Sequence, residues 1–178
     1  MMFGWSYREM FRHRPCAIIP DDHDMYHGNI WGEEGKLANN NKGFGAFSQD
    51  SGGYKMTPEW VNMVQFTQTS HLPEPYDATP VKNNIGVYYT HGNYGGISFA
   101  ILEDRKFKSA PKCLLPKAAI HNVWAQNKTF NMKKDGDVKN ASLLGDRQMF
   151  FLEHWVSDWN HEIQMKMLLS QTIFSNVA

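Results

Sequence analysis

Hydrophobic and polar positions alternate along the chain in patterns that predict several helices and strands. Apolar and charged residues mix at helical spacing over residues 3–12, and this predicted helix stops near Pro15. The apolar run Cys16-Ala17-Ile18-Ile19 ends at Pro20 and is too short for a helix, so it predicts a short buried strand. Helices and strands also alternate further along, which favours an α/β layered fold.

The middle of the chain predicts a helix followed by two strands. Thr57-Pro58-Glu59 is a helix start, because threonine can cap, proline fits the first turn and glutamate faces the positive end of the dipole. Apolar residues continue at helical spacing to position 67. Residues 85–90 and 97–102 then predict two strands, joined by a hairpin-like turn over residues 91–96.

The last third of the chain predicts one helix and one strand. Residues 105–142 are mixed and polar and give no clear element. A helix starts at Gly145-Asp146, and the 3-to-4 spacing of its apolar residues predicts one buried face. That face consists of Met149, Leu152, Val156 and Trp159. Residues 163–169 alternate in a pattern that predicts a strand with most of both faces covered.

Residues 21–56 form a long segment in which no hydrophobic period holds. Seven glycines lie between positions 28 and 55, and three asparagines follow one another at positions 39–41. Loops of this length in compact domains are usually functional or disordered. Because the segment follows a predicted strand, it is a candidate active-site loop. A flexible insertion is the alternative, and we expect residues 33–56 to be a flexible Gly/Asn-rich loop.

Composition narrows the classes of function. Eighteen basic residues balance eighteen acidic ones, and the pI is about 7.1, so no net field would draw the protein to nucleic acid or to an anionic membrane. No apolar stretch approaches the ~18 residues of a membrane span, so we expect no transmembrane segment. The two cysteines, Cys16 and Cys113, do not make a disulfide framework.

The strongest chemical signal is the acidic run Asp21-Asp22-His23-Asp24, which follows the first predicted strand. In open α/β sheets, ligands bind in loops after the carboxyl ends of strands. Three adjacent carboxylates repel one another, and a multivalent cation relieves that repulsion. A neighbouring histidine can then protonate a leaving oxygen or bind a phosphoryl oxygen. The alternative is a solvated acidic turn that caps the next element.

The run from Pro20 to Gly32 resembles the signature loop of PhoD-like (alkaline phosphatase D type) metallophosphatases, in which the metallophosphoesterase loop Gly-Asn-His-Asp/Glu reads Asp-Asp-His-Asp/Glu. Three further segments agree in order. Residues 94–107 resemble the family's strand and its Asp-x-Arg turn, residues 144–148 resemble its Leu-Gly-x-x-Gln helix start, and residues 151–155 continue that helix. The resemblance implies an α/β fold that is part of a calcineurin-like four-layer αββα sandwich.

The resemblance also implies roles for five residues of this loop. His23 falls on the catalytic histidine, and Asp22 falls where the wider superfamily has a metal-ligand asparagine. Asp21 and Asn29 are expected to ligate metal or to lie just behind the ligands, and Asp24 to orient the His23 ring. Two or more divalent or trivalent ions (Ca, Fe, Mn or Zn) would act with a small-molecule phosphoester substrate. Relatives of this type are often exported, but these residues do not indicate a location.

The chain also departs from the family pattern. The family supplies an early Asp ligand with a Gly-Asp segment, and a late Gly-Asp-x-His segment, and neither occurs in this sequence. Residues 1–178 are therefore expected to be a single partial domain, truncated at both ends and inactive alone. A non-catalytic, metal- or ligand-binding remnant is the alternative. Arg105 is expected to pair with Asp104 or Glu103, and a phosphate-clamping role for it is not favoured.

Overall fold

Seven α-helices and two small sheets form the part of the chain that the computed structural model describes, residues 2–26, 28–41, 43–160 and 162–172. The helices are α1 (Met2–His13), α2 (Asp22–Met25), α3 (Ala46–Asp50), α4 (Pro58–Thr69), α5 (Pro111–Leu114), α6 (Met132–Asp135) and α7 (Gly145–Ser157). The strands are β1 (Thr90–Tyr94), β2 (Ile97–Ile101), β3 (Ile120–His121), β4 (Trp124–Ala125) and β5 (Met165–Leu169). Short 3₁₀ turns cover Lys82–Asn84 and Pro116–Ala118.

The larger sheet has the order β1-β2-β5. β1 and β2 are antiparallel, and β5 lies parallel to β2 with Ile97 opposite Met165. β3 and β4 form a separate two-stranded hairpin. The described residues thus mix helices with a small, partly parallel sheet, and the full four-layer sandwich stays a prediction.

The hairpin between β1 and β2 turns later than predicted. Residues 91–94 belong to β1, and the turn consists of Gly95 and Gly96, with φ of 58° and 79°. Two adjacent residues with positive φ suit the tight turns that match the twist of antiparallel strands, and glycine adopts them without a steric cost. Residues 85–89 were wrongly predicted as strand. They are mostly buried, but their backbone groups form hydrogen bonds with other parts of the protein instead of with a strand. The Tyr88 N–H, for example, donates to the Glu103 carboxylate.

Two predicted helices and one predicted cap are confirmed. α1 covers the predicted residues 3–12. α4 begins at Pro58, and the Thr57 side chain accepts the Trp60 N–H at 3.4 Å. These features depend on neighbouring residues, so local chemistry suffices to predict them.

The buried face of α7 was predicted wrongly. The helix forms from Gly145 as expected, but Met149 and Val156 are 48% and 53% exposed. Phe151 and Trp155 are buried instead, and the ring of Phe151 packs 5.3 Å from that of Tyr89. The helix carries apolar residues on more than one side, so the partners across the core decide which side faces inward.

The predicted strands at the two ends of the chain also need correction. Residues 16–19 form no strand within the described range 2–26, and Ile18 is 42% exposed. A strand needs a partner to satisfy its backbone, and none lies beside this segment among the described residues. β5 does form, but Met165, Met167 and Leu168 are at least 40% exposed. As an edge strand, it is not covered on both faces as predicted.

The segment predicted as a flexible loop, residues 33–56, contains ordered contacts with the core. It includes α3, and both Asp50 and Tyr54 are fully or almost fully buried. The Asp50 carboxylate accepts the backbone N–H groups of Asn122 and Val123 at 2.7 and 2.9 Å, and so ties α3 to the hairpin of β3 and β4.

Two hydrophobic clusters form the core, and Val81 packs against both. The first cluster joins the sheet to α7, and its buried members are Val87, Tyr89, Ala100, Leu102, Phe107, Phe151 and Trp155. The second joins the acidic loop to α4, and its buried members are Met25, Ile30, Tyr54, Val61, Val64 and Ile85. The acidic loop is thereby packed on the core rather than projecting from it.

Among the described residues, no helix has both the length and the apolar composition that crossing a membrane requires.

Candidate functional site

The acidic run forms a one-turn helix, α2, with a reciprocal cap at its start. Asp21 is the N-cap residue, and its Oδ1 accepts the Asp22 backbone N–H at 2.8 Å. In return, Asp24 Oδ2 accepts the Asp21 backbone N–H at 2.8 Å. This capping box satisfies backbone donors that a helix start otherwise leaves unpaired. It also turns Asp22 inward, to 5% exposure, while His23 is exposed.

Arg105, which follows β2, pairs with two carboxylates of this run. Its Nε lies 2.5 Å from Asp21 Oδ1, and one terminal nitrogen lies 3.1 Å from Asp22 Oδ1. The expectation that Arg105 pairs with Asp104 or Glu103 is therefore wrong. The Asp104 carboxylate instead accepts hydrogen bonds from the backbone N–H and the hydroxyl of Thr172, at 2.8 and 2.7 Å. The Glu103 carboxylate lies 3.6 Å from the Lys106 ammonium.

The pKa values of the two carboxylates beside Arg105 are shifted in opposite directions. Burial and the contact with Asp21 raise the pKa of Asp22 to about 6. Burial also raises the pKa of Asp21, but hydrogen bonds from Asp22 and Arg105 outweigh it and lower that pKa to about 2. The pair therefore holds one firmly ionised carboxylate and one that gains a proton in mildly acidic solution.

Backbone contacts hold the acidic loop against the turn that Arg105 belongs to. The Gly32 N–H donates to the Arg105 carbonyl at 2.9 Å, and the Pro20 carbonyl accepts a hydrogen bond from the Gln171 side chain. A Cβ at position 32 would lie 2.6 Å from the carbonyl oxygens of Arg105 and Lys106. Only glycine permits this approach, so Gly32 helps to set the position of Asp22 relative to Arg105.

The hydrogen bonds of Asn29 are made with Gln49 and Tyr26 and not with Asp21, Asp22 or Arg105 among the described residues. Its backbone N–H donates to Gln49 Oε1 at 3.2 Å, and its carbonyl accepts the Tyr26 hydroxyl at 2.6 Å. No hydrogen bond between the described residues joins Asn29 to Asp22. Its predicted role at a metal stays a prediction, as does the support of His23 by Asp24. His27, in the same loop, lies outside the described residues.

The donor groups of the site fit part of a metal centre. Carboxylate oxygens are the ligands that hard cations prefer, and Asp21 and Asp22 share one counter-ion, Arg105. Across the described ranges, however, no three His, Cys, Asp or Glu side chains come together in a way that could hold an ion. Further ligands would be needed to complete a binuclear site.

Two lysines near the site were missed by the reasoning from the sequence. Lys106 and Lys108 follow Arg105 directly, and both are buried. Lys106 binds the Glu103 carboxylate, whereas the Lys108 ammonium lies 4.5 Å above the ring of Trp31. The signal that could have found them is the concentration of three cations within residues 105–108, immediately after a strand.

Comparisons with protein-family models, with curated proteins and with solved structures find no match for this chain. The resemblance to PhoD-like metallophosphatases thus stays a prediction that depends on the motifs named above.

Proposed function

We propose that this chain supplies the acidic loop of a metal-dependent hydrolase of phosphate esters, of the alkaline phosphatase D type. The observation that carries the proposal is the placement of Asp22. Its carboxylate is 5% exposed, stands beside a second carboxylate and has a pKa raised to about 6 by burial and by Asp21. Such a placement costs stability, and perturbed carboxylates of this kind concentrate at functional sites.

The role proposed for each residue of the loop follows from its position and its burial. Asp22, buried at the base, would ligate an ion together with Asp21, and Arg105 balances their charge. His23, exposed on the same turn, would donate a proton to the leaving oxygen or hydrogen-bond a phosphoryl oxygen. The chemistry that bound ions supply is activation of water and neutralisation of the charge that develops on the phosphoryl group.

The test is an assay with p-nitrophenyl phosphate and bis-p-nitrophenyl phosphate across Ca, Fe, Mn and Zn. The 178-residue chain and the natural gene product should be compared, with little or no turnover expected from the former. In the natural gene product, His23→Ala should lower turnover ~10²- to 10⁴-fold. His121→Ala removes another exposed histidine, on β3, and should have no effect. Wild-type activity of the His23 variant would refute the catalytic assignment.

A non-catalytic remnant is the second candidate, and the contacts of Arg105 favour it. Arg105 is paired with Asp21 and Asp22, and Asp21 and Asp24 cap α2, so these carboxylates already have partners within the protein. Reading the coding DNA in frame on both sides separates the two candidates. The early Asp and late Gly-Asp-x-His segments would support the enzyme, and authentic start and stop signals at Met1 and Ala178 would support the remnant.

A further inference from the structure

Among the described residues, the buried ammonium of Lys108 forms no ion pair with a carboxylate. Lys108 is 5% exposed, and it belongs to none of the ion pairs among the described residues. Its ammonium has one weak hydrogen bond, to Thr172 Oγ1 at 3.5 Å. Buried charges are costly unless they are paired, so an unpaired one calls for an explanation beyond packing.

Trp31 offers a second hydrogen-bond donor without an acceptor, next to this ammonium. The Lys108 Nζ lies 4.5 Å from the centre of the Trp31 ring. The indole Nε1 of Trp31 is buried and has no hydrogen-bond partner among the described residues. Native structures rarely leave buried donors unpaired, and each exception calls for an explanation, for which a bound ligand is one candidate. Ammonium and indole groups can only donate, so the partner must be an acceptor.

Backbone hydrogen bonds connect the segments of both donors to the turn that contains Arg105. Trp31 precedes Gly32, whose backbone N–H donates a hydrogen bond to the Arg105 carbonyl. One residue further on, the Glu33 N–H donates to the Lys108 carbonyl at 3.4 Å. Burial, followed by the charge of Arg105, lowers the pKa of Lys108 to about 8, while Asp104, Asp22 and Asp21 oppose that shift. The ammonium is therefore within electrostatic reach of the acidic run and carries its proton at neutral pH.

We propose that Lys108 and the indole N–H of Trp31 bind an oxyanion, the phosphoryl group of the substrate, beside Asp22. This assignment rests on the proposed function for its choice of substrate. A phosphoryl oxygen satisfies both requirements, since it is negatively charged and accepts several hydrogen bonds. Arg105 is already engaged with Asp21 and Asp22, and Lys106 with Glu103. Of the three described cations at residues 105–108, Lys108 is thus the one that a substrate anion can bind.

Calorimetric titration of the 178-residue chain with inorganic phosphate tests the assignment, and phenylphosphonate in a second arm distinguishes free phosphate from an organic phosphoryl group. Lys108→Met should weaken binding roughly ten- to hundredfold, since a charged hydrogen bond is lost, and Lys108→Arg should restore most of it. Lys112→Met is the matched control. Its ammonium lies 4.3 Å over the ring of Phe47, outside the site, and its loss should leave phosphate affinity unchanged.

Trp31→Phe keeps an aromatic six-membered ring and removes the N–H together with the five-membered ring of the indole, so it tests the site even if the lysine variant does not fold. We expect phosphate affinity to fall roughly three- to tenfold, because one neutral hydrogen bond is lost. Among the described residues the N–H has no acceptor, so its removal breaks no hydrogen bond within that part of the protein.

The outcomes separate this assignment from the proposed function. Binding of phosphate that depends on Lys108, without hydrolysis by the natural gene product in any metal, supports the oxyanion site and refutes the hydrolase. Hydrolysis that Lys108→Met leaves unchanged refutes the oxyanion site alone. Failure of the wild-type chain to bind either probe at millimolar concentration also refutes the oxyanion site.

Discussion

Lys106 and Lys108 stand two residues apart on the turn after β2, and both bury their ammonium groups, yet their surroundings differ completely. Lys106 is fully buried and meets the Glu103 carboxylate at 3.6 Å, together with the side-chain oxygen of Gln65 and the carbonyl of Gly86. Lys108 has an aromatic face and one long hydrogen bond.

The difference distinguishes a structural charge from a charge held for a ligand. The partners of Lys106 come from α4, from residues 85–89 and from its own turn, so this lysine joins three parts of the fold. A buried pair of this kind needs both members, because loss of one leaves the other charged and unpaired. Lys108 has no ion pair among the described residues, and the cost of its burial exceeds its attraction to Asp104, Asp22 and Asp21. Its removal should therefore stabilise the fold rather than weaken it.

The largest effect is expected from Lys106→Met. It leaves the Glu103 carboxylate buried without its counter-ion and should lower the free energy of unfolding by about 3–5 kcal/mol. Urea denaturation at pH 7 measures it. Adding Glu103→Gln should recover part of the loss, since no charge is then unpaired. A loss for Lys106→Met below about 1 kcal/mol would contradict the structural role.

Lys108→Met should have the opposite sign and raise the free energy of unfolding at pH 7 by about 2 kcal/mol. The pKa of Lys108 is about 8 in the fold, against an ordinary value of 10.5. Below pH 8, folded and unfolded chains both hold the proton, and the full cost of burying the charge applies. Between pH 8 and 10.5, only the unfolded chain keeps it, so the wild type becomes more stable as pH rises.

The advantage of the methionine variant should therefore shrink between pH 8 and 10.5, and urea denaturation at pH 7 and pH 10 checks this. Lys112→Met again serves as the control, because its ammonium lies on the surface ring of Phe47. A destabilised Lys108 variant at pH 7 would place Lys108 with Lys106 as a structural charge.

Arg105→Gln should have a smaller effect on stability, a loss of about 1–2 kcal/mol, because it removes a hydrogen bond to Asp21 and an ion pair with Asp22. It should raise the pKa of Asp22 above about 6, since Arg105 lowers it, and raise the pKa of Lys108 for the same reason. Side-chain titrations followed by NMR measure both shifts. Arg8→Gln, which breaks an exposed pair with Glu9, should leave both pKa values unchanged.

The smallest effect is expected from Trp31→Phe, which should lower the free energy of unfolding by about 1 kcal/mol or less, because a half-buried indole loses only its five-membered ring. The indole N–H has no partner in the described part of the chain, so no hydrogen bond is lost there. Trp155→Phe is the matched comparison. There the indole donates to Ser98 Oγ at 3.0 Å in the core, and the loss should be about 1 kcal/mol or more. Equal losses in thermal melts of the two variants would mean that Trp31 has a hidden structural partner.

Much of the local structure could be predicted from the sequence, and several tertiary features could not. The cap at Thr57 and the bounds of α1 and α4 depend on neighbouring residues and were predicted correctly. Burial depends on distant partners, so the inward face of α7 and the exposure of β5 were predicted wrongly. The turn at Gly95 and Gly96 lay within the predicted connection, but its register was not deduced.

In the candidate site, too, local features could be predicted from the sequence and tertiary contacts could not. The acidic run was recognised from adjacent residues, and capping of the next element was among the interpretations considered. The partner of Asp21 and Asp22 was not recognised, because Arg105 is 84 residues away from Asp21. The different surroundings of Lys106 and Lys108 could not be predicted either, because their partners Gln65, Trp31 and Thr172 come from remote segments of the chain.

By itself, the sequence determined the features that arise within a few residues: helix starts, the capping box of the acidic run, and the close grouping of carboxylates and a histidine. Only the tertiary structure decided which charges are buried and which of them are paired. The physical reason is that hydrogen bonds and ion pairs act over a few ångström in space, whatever the separation along the chain. Gln171, for example, binds the Pro20 carbonyl across 151 residues and holds the candidate site in place.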